Sequence, residues 1–122
     1  MVFKSGEFFA VGGSPGADEQ PQTNLQVLHN IIDLGMDPQA AVEEPRWSHQ
    51  PGTPPRDNLP EALRVEEGIA AEVIEALRKK GHKVTVVDRW SFGSAKVIVR
   101  DRDTGTWMAG ADPRREAYAI GW

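Results

Sequence analysis

The chain contains no cysteine, which removes several kinds of chemistry from consideration. Disulfide bonds, a thiolate nucleophile and zinc sites built on cysteine are all excluded, while the cellular compartment is left open. Long apolar runs are missing too, since no stretch approaches the roughly 20 residues that a transmembrane helix needs. The segment 1–6 has one lysine and no apolar centre, so we expect it not to be a secretory signal peptide.

An excess of basic charge is also absent. The 14 lysines and arginines are outnumbered by 18 aspartates and glutamates, which gives a net charge of −4. We therefore expect neither nucleic acid nor an anionic membrane as a partner. The composition is that of a globular protein, with 39% hydrophobic and 26% charged residues, and the length of 122 residues predicts a single domain spanning 1–122.

The periodicity of the apolar residues predicts a mixed α+β fold with an antiparallel portion. Alternating or β-branched runs predict strands at 7–11, 46–50, 63–66, 82–87, 95–100 and 106–111. Helices are predicted from about 18 to 34, over 38–44 and over 69–80. Four prolines between positions 51 and 60 predict a loop. The early start of the first strand fits either an edge strand of a small domain or a fragment whose upstream part is missing. The last two strands are expected to form a hairpin with Gly105 in a left-handed conformation.

The first helix has the clearest pattern. Two adjacent apolar rows run along it: Leu25, Leu28 and Ile32, and beside them Val27, Ile31 and Leu34. Together they predict a wide apolar face pressed on a sheet. Asp18 is the expected N-cap, Gly35 the expected stop, and Asp37 with Pro38 the expected start of the second helix. The four tryptophans are expected in core or interface packing.

The segment Gly13–Asp18 joins the first strand to this helix. A glycine-rich turn that leads into a helix points backbone N–H groups, and the positive end of the helix dipole, at one spot. Gly13 and Gly16 allow a positive φ and a close approach, and Pro15 fixes one φ between them. The pattern predicts an anion or oxyanion site made of main chain, although an ordinary strand-to-helix turn is the simpler interpretation of the pattern alone.

The remaining polar groups give weaker signals. His29, His49 and His82 are far apart and lack a metal-binding spacing, so no metal site is predicted. The segment Asp112–Arg115 has two interpretations: an anion clamp through its arginines, or a turn with a surface or intradomain ion pair. No serine or threonine lies in a recognised nucleophile motif. The sequence thus offers candidate oxyanion donors without a nucleophile.

Several segments resemble the small subunit of γ-glutamyltransferases. The longest is segment 13–26, GSPGADEQPQTNLQ, which is similar to the family pattern G-[ST]-P-G-G-D-x-Q-P-Q-x-x-L-Q. Further similar segments follow in the family's order at 32–37, 40–42, 45–47, 63–68, 81–84, 93–95, 110–115 and 121–122. The resemblance therefore covers essentially the whole chain.

The resemblance implies an αββα sandwich of the N-terminal-nucleophile-hydrolase type, matured by autocleavage, of which this chain is the C-terminal portion of the small subunit. In that family an N-terminal threonine attacks a γ-glutamyl amide such as glutathione, and the acyl-enzyme passes its glutamyl group to water or to an amine. The family's Gly-Gly pair of oxyanion donors falls on Gly16 and Ala17. Gly13, Ser14 and Pro15 are expected to frame the substrate site. The resemblance implies neither a cofactor nor a metal.

Two departures from the family pattern matter. Ala17 replaces the second glycine, so its N–H remains, but a positive φ at that position would cost about 1–3 kcal/mol. The family's catalytic threonine and the residues that grip the substrate lie upstream of Gly13, and no threonine here occupies a matching position. We therefore expect the isolated chain to be inactive and to need the large subunit and the N-terminal part of the small subunit as partners.

Two alternatives stay open at this point. The chain could belong to a related acylase that acts on another amide, such as a β-lactam side chain, or it could be a non-catalytic binding or assembly module. Half of a sandwich is expected to expose an apolar face and to form homo-oligomers through it. Members of the family are often periplasmic or secreted, and these residues do not fix the compartment.

Overall fold

The computed structural model describes residues 1–50 and 61–121, so the loop predicted at 51–60 and Trp122 lie outside the described residues. The strands are β1 (Val2–Lys4), β2 (Glu7–Gly13), β3 (Trp47–Gln50), β4 (Ala62–Glu66), β5 (Val84–Val87), β6 (Lys96–Arg100) and β7 (Trp107–Ala111). The helices are α1 (Gln20–Ile32), α2 (Pro38–Glu43) and α3 (Ala71–Lys79). In this part of the chain no helix is long and apolar enough to cross a membrane. The predicted α+β class is confirmed.

The larger sheet has four antiparallel strands in the order β1-β2-β6-β7. The interpretation of the 7–11 strand as an edge strand is wrong, because the short strand β1 pairs with its outer side and β6 with its inner side. The predicted hairpin of β6 and β7 is confirmed, and Gly105 has a φ of +74° in its turn. Asp101 accepts hydrogen bonds from the N–H groups of Asp103 and Thr104, which closes that turn.

The smaller sheet has three strands in the order β3-β4-β5. β3 and β4 are antiparallel, whereas β4 and β5 are parallel and are connected through α3. Leu63 and Val65 of β4 pack with Ile74 of α3 in a small separate core. Gly81 has a φ of +94° just after α3, as its predicted role as a stop requires.

The main core lies between the four-stranded sheet and the helices α1 and α2. Its buried members are Ala10, Val27, Ile31, Ala41, Val42, Ala95, Val97 and Val99. Of the two predicted apolar rows of α1, only the second is buried, and only at Val27 and Ile31. Leu25, Ile32 and Leu34 are 62%, 49% and 61% exposed, because α1 turns only the Val27 side towards the sheet.

Of the two predicted helix N-caps, Asp37 is confirmed and Asp18 is wrong. Asp37 caps α2 by accepting hydrogen bonds from the N–H groups of Gln39 and Ala40 at 3.0 and 3.1 Å. Asp18 is not the N-cap of α1, since that position is taken by Glu19 and no side chain caps it. Gly35 has a φ of +66° shortly after α1 ends, which fits its predicted role.

The face of the four-stranded sheet that is turned away from α1 and α2 is apolar and, among the described residues, largely exposed, with Tyr118 and Ile120 bordering it beside Val11 and Ile98. This open sheet face consists of Phe3, Phe8, Val11, Ile98 and Trp107. Trp107 is 59% exposed and Phe3 60% exposed, so of the two expected places for the tryptophans, core or interface, the core is excluded for Trp107. Trp47 and Trp90 are also partly exposed, at 37% and 38%.

Candidate active site

The turn predicted to hold an oxyanion connects the end of β2 to the start of α1. Gly16 has a φ of +119°, a conformation that favours glycine over residues with a side chain. Ser5 and Trp90 are the two non-glycine residues with a positive φ in residues 1–50 and 61–121, so Ala17 has an ordinary negative φ. The replacement of the family's second glycine by alanine is therefore free of backbone strain here.

Two side chains near the N-terminus of α1 hold the segment Gly13–Asp18 in place. Ser14 is 7% exposed, and its hydroxyl donates to the side-chain oxygen of Asn24 at 3.1 Å. The Gln20 side-chain amide donates to the Ser14 carbonyl oxygen at 2.9 Å. The turn is thus attached to the helix at Ser14, while Pro15, Gly16 and Ala17 beyond it are exposed.

The N–H groups of Gly16 and Ala17 are the notable feature of this exposed part. Among the described residues, no group accepts a hydrogen bond from either of them. They lie just before α1, a helix of 13 residues whose dipole places partial positive charge at this end. Two free adjacent N–H donors next to a helix N-terminus can stabilise a negative oxygen. Their assignment as oxyanion donors stays a prediction.

Glutamines of the same segment have roles that the sequence reasoning missed. Gln22 binds the backbone of His49 in both directions, accepting at 2.7 Å and donating at 3.1 Å. Gln26 does the same with Trp47, at 2.9 Å for each bond. Each amide side chain accepts and donates one hydrogen bond, as a peptide group of a neighbouring strand would. The helix α1 thus hydrogen-bonds to the outer edge of β3. The spacing of four residues in a helix was the signal, because it places both amides on one face.

A second polar centre is buried behind the turn. It is the charge cluster formed by Arg46, Glu66, Asp112 and Arg114, all at most 5% exposed. Arg114 forms a bidentate pair with Glu66 and also donates to Asp112 at 3.0 Å. Arg46 pairs with Asp112. Two cations and two anions balance, as buried charges require. Of the two interpretations of Asp112–Arg115, the intradomain ion pair is confirmed for Asp112 and Arg114, in buried rather than surface form.

Burial and pairing act on the cluster in opposite directions. Burial opposes ionisation of Glu66, but hydrogen bonds from Arg114 and from the backbone N–H groups of Arg46 and Phe92 outweigh it, and the pKa of Glu66 is lowered. For Arg46, burial prevails over the attraction of Asp112, and the pKa is lowered. For Arg114, burial also lowers the pKa, but the bonds to Glu66 and Asp112 raise it overall.

The segment 92–95 connects the charge cluster to the turn. The cluster holds the backbone on both sides of Gly93. The Phe92 N–H donates to Glu66 at 3.3 Å, Arg46 donates to the Gly93 carbonyl at 2.8 Å, and the Ala95 N–H donates to Asp112 at 2.8 Å. Gly93 itself lies against the Pro15 carbonyl oxygen. Segment 92–95 therefore lies between the buried cluster and the exposed turn.

The other candidate groups lie elsewhere in the described residues. His29 pairs with Asp33 at 2.7 Å on the exposed side of α1, and His49 lies 3.4 Å from Glu61. In the described ranges there is no group of three or more histidine, aspartate or glutamate side chains that could hold a metal ion. Thr23 is buried inside α1, at 4% exposure. Thr85, Thr104 and Thr106 belong to β5 and to the β6–β7 connection, whereas Thr53 is outside the described residues.

The chain is similar to known proteins over its whole length. The family model described as gamma-glutamyltranspeptidase matches residues 1–122. The chain is 37% identical to the glutathione hydrolase-like YwrD proenzyme of Bacillus subtilis, over 99% of this chain and 23% of that protein. It is 35% identical to the glutathione hydrolase proenzyme of Escherichia coli, over 93% of this chain and 18% of that protein. The chain thus spans about a fifth of the length of these curated relatives.

A solved structure extends the comparison to the fold. The crystal structure of cephalosporin acylase from Bacillus halodurans superposes with a TM-score of 0.83 at 34% identity, over 98% of this chain and 21% of that chain. The expected N-terminal-nucleophile-hydrolase architecture is confirmed by such structural neighbours. With a matching family model over its whole length and these relatives, the chain belongs to the gamma-glutamyltranspeptidase family.

Proposed function

We propose that this chain is the C-terminal portion of the small subunit of an enzyme that cleaves γ-glutamyl amides such as glutathione. The enzyme forms an acyl-enzyme and passes the glutamyl group to water or to an amine. The observation that carries the proposal is the turn before α1, whose two adjacent N–H groups have no acceptor in residues 1–50 and 61–121, in a chain that belongs to this family. Residues 1–122 act as one domain within that larger protein.

The proposed chemistry divides between this chain and the rest of the enzyme. When a nucleophile attacks the γ-amide carbonyl, its oxygen gains negative charge, and the N–H groups of Gly16 and Ala17 donate to it. Gly13, Ser14 and Pro15 frame the site, and Ser14 fixes the turn through Asn24. The nucleophilic threonine and the groups that bind the α-amino and α-carboxylate groups of the substrate belong to the remainder of the protein. Neither a cofactor nor a metal takes part.

The open sheet face supports the need for a partner. Phe3, Val11, Ile98 and Trp107 are exposed there to 60%, 36%, 42% and 59%, on a sheet whose other face is covered by helices. In the complete enzyme the remainder of the protein covers this face. The isolated chain buries it instead by self-association, so sedimentation of the isolated chain should show dimers or larger species. A monomer at every accessible concentration would contradict this.

One experiment tests the division of labour. The complete protein and the isolated chain are incubated with a chromogenic γ-glutamyl anilide, and the released amine is measured with and without an acceptor dipeptide. The complete protein should release the amine, and the acceptor should accelerate release or yield a γ-glutamyl product. The isolated chain should give no release above buffer. Turnover by the isolated chain would place the nucleophile within these residues and refute the proposed division.

A second candidate function is an acylase that acts on a different amide. The similarity to the cephalosporin acylase structure favours it, since that similarity covers 98% of this chain. The residues that distinguish the two substrate classes are outside this chain in our proposal. Measuring kcat/KM of the complete protein for a γ-glutamyl anilide and for a β-lactam side-chain amide decides between them. A higher value for the β-lactam amide would favour the acylase.

A further inference from the structure

We propose that Gly93 is a positioning residue for the Gly16 N–H, an inference that depends on the oxyanion role proposed above. Gly93 has no positive φ, so its backbone conformation does not demand glycine. Its surroundings do. A Cβ at this position would lie 3.1 Å from the Pro15 carbonyl oxygen, which is closer than an ordinary van der Waals contact.

The Pro15 carbonyl is directly linked to the donor. Its oxygen and the Gly16 N–H belong to the same planar peptide unit, so a displacement of the oxygen reorients the N–H. Donor groups in active sites must be held within about 0.5 Å and 10–20° of their working geometry. A Cβ at position 93 would therefore push the Pro15 oxygen and turn the Gly16 N–H with it, whereas glycine leaves this peptide where it is.

The two sides of this contact differ in how easily they move. On the Gly93 side, Phe92 and Ser94 are 3% and 1% exposed. The Gly93 carbonyl accepts from Arg46 at 2.8 Å, so the buried charge cluster holds the backbone there. On the other side, Pro15 and Gly16 are exposed. An added methyl group would displace the turn rather than the buried segment.

Other glycines with close neighbours do not share this property. A Cβ on Gly110 would lie 2.2 Å from the Pro38 carbonyl oxygen, and one on Gly12 would lie 2.8 Å from that of Lys96. Those contacts join α2 to β7 and β2 to β6, which concerns packing of the fold. Gly93 is different because its neighbour is part of the turn that carries the candidate donors.

The test is Gly93→Ala in the complete protein, measured as kcat and KM on a γ-glutamyl anilide together with the midpoint of thermal unfolding. We expect kcat to fall about tenfold, since a misplacement of about 1 Å costs on the order of 10²-fold and the shift here is smaller. KM should stay within about twofold, because the ground-state carbonyl depends less on these donors than the developing oxyanion does. The matched control is Gly121→Ala, which adds the same methyl group at a position without a positive φ, where no atom of the described residues lies within 4 Å.

Each outcome has a defined meaning. A folded Gly93→Ala protein with wild-type kcat, or with a raised KM and unchanged kcat, overturns the proposal. Ala17→Pro, which deletes one donor, is measured in parallel. If it retains full activity, the Ala17 donor and with it the paired oxyanion site on which this inference depends have failed; if it loses activity while Gly93→Ala does not, only the positioning role is wrong.

A second variant covers the case in which Gly93→Ala does not fold. Pro15→Ala releases the φ of residue 15, so the Pro15→Ala/Gly93→Ala double variant can move the peptide away from the added methyl group. Its kcat should be lower than that of Pro15→Ala alone. Equal kcat values would overturn the proposal. Failure of both Gly93 variants to fold would overturn it as well, because Gly93 would then be a requirement of the fold.

Discussion

The turn before α1 and the buried charge cluster use polar groups in opposite ways. In the cluster every charge is paired, and Arg114 alone donates to Glu66, Asp112 and backbone carbonyls. In the turn, the N–H groups of Gly16 and Ala17 have no acceptor among the described residues. Yet the two regions are in contact through Gly93.

The difference shows how polar groups for stability and for ligand binding can be separated. Buried donors must be satisfied within the protein, because an unpaired one costs about 1–3 kcal/mol. Exposed donors can stay unpaired since water satisfies them until a ligand arrives. Among the described residues, Arg46 Nε is the one buried side-chain nitrogen or oxygen without a hydrogen-bond partner, so the cluster is paired in charge but not at every donor. The charge-paired cluster supplies rigidity, and the turn supplies the binding groups. The predictions below test whether stability and activity divide in this way.

The largest effect on stability should come from breaking the cluster. Arg114→Ala leaves Glu66 as a buried carboxylate without its paired cation, while Asp112 keeps Arg46, and we expect a loss of about 3–5 kcal/mol in the free energy of unfolding. Denaturant unfolding of the complete protein measures it. The control is Arg102→Ala, whose pair with Glu7 at 3.3 Å is exposed and should contribute less than about 1 kcal/mol. Equal losses in the two variants would show that the cluster has no special role.

A smaller effect should follow from the attachment of α1 to β3. Gln22→Ala removes both hydrogen bonds to the His49 backbone, and we expect a loss of about 1–2 kcal/mol, since each such bond contributes about 1 kcal/mol. The same unfolding measurement applies, with the exposed Glu72→Ala as the control. If Gln22→Ala unfolds like Glu72→Ala, the side chain does not stabilise the edge of β3.

The pH dependence of stability should change when Glu66 loses its charge. The pKa of Glu66 is lower in the folded protein than in the unfolded chain, where it is about 4.3. Its ionisation therefore stabilises the fold above that unfolded value, and the contribution is lost as the pH falls through the folded pKa. Glu66→Gln should flatten the decline of stability in this acidic range, compared with Glu72→Gln at an exposed site. An unchanged slope would contradict the assigned pKa shift.

The sequence predicts the local elements well because their signals are local. Apolar periodicity, Asp37 before Pro38, and glycines after the helices define α1, α2, α3 and most strands within a few residues. It could not predict which row of α1 is buried, because Leu25 and Val27 are equally apolar and only the position of the sheet distinguishes them. Strand β1 was missed as an element of three residues.

The candidate site was predictable in its main chain but not in its supports. The glycine-rich turn is visible in the sequence, and the family resemblance points to Gly16 and Ala17. The charge cluster unites residues 66 positions apart, Arg46 and Asp112, and 48 apart, Glu66 and Arg114. Partners at such separations follow from the tertiary fold alone. The contact of Gly93 with Pro15 has the same origin.

The central claim is that the Ala17 N–H stabilises the oxyanion, and pre-steady-state acylation of the complete enzyme tests it most directly. Ala17→Pro deletes this N–H, and the rate constant of acylation by a γ-glutamyl anilide should fall by about 10²–10³-fold. The control is Ala70→Pro, the same substitution at an exposed residue whose φ of −57° already suits proline. We expect Ala70→Pro to acylate at the wild-type rate. Equal acylation rates for the two variants would remove Ala17 from the active site.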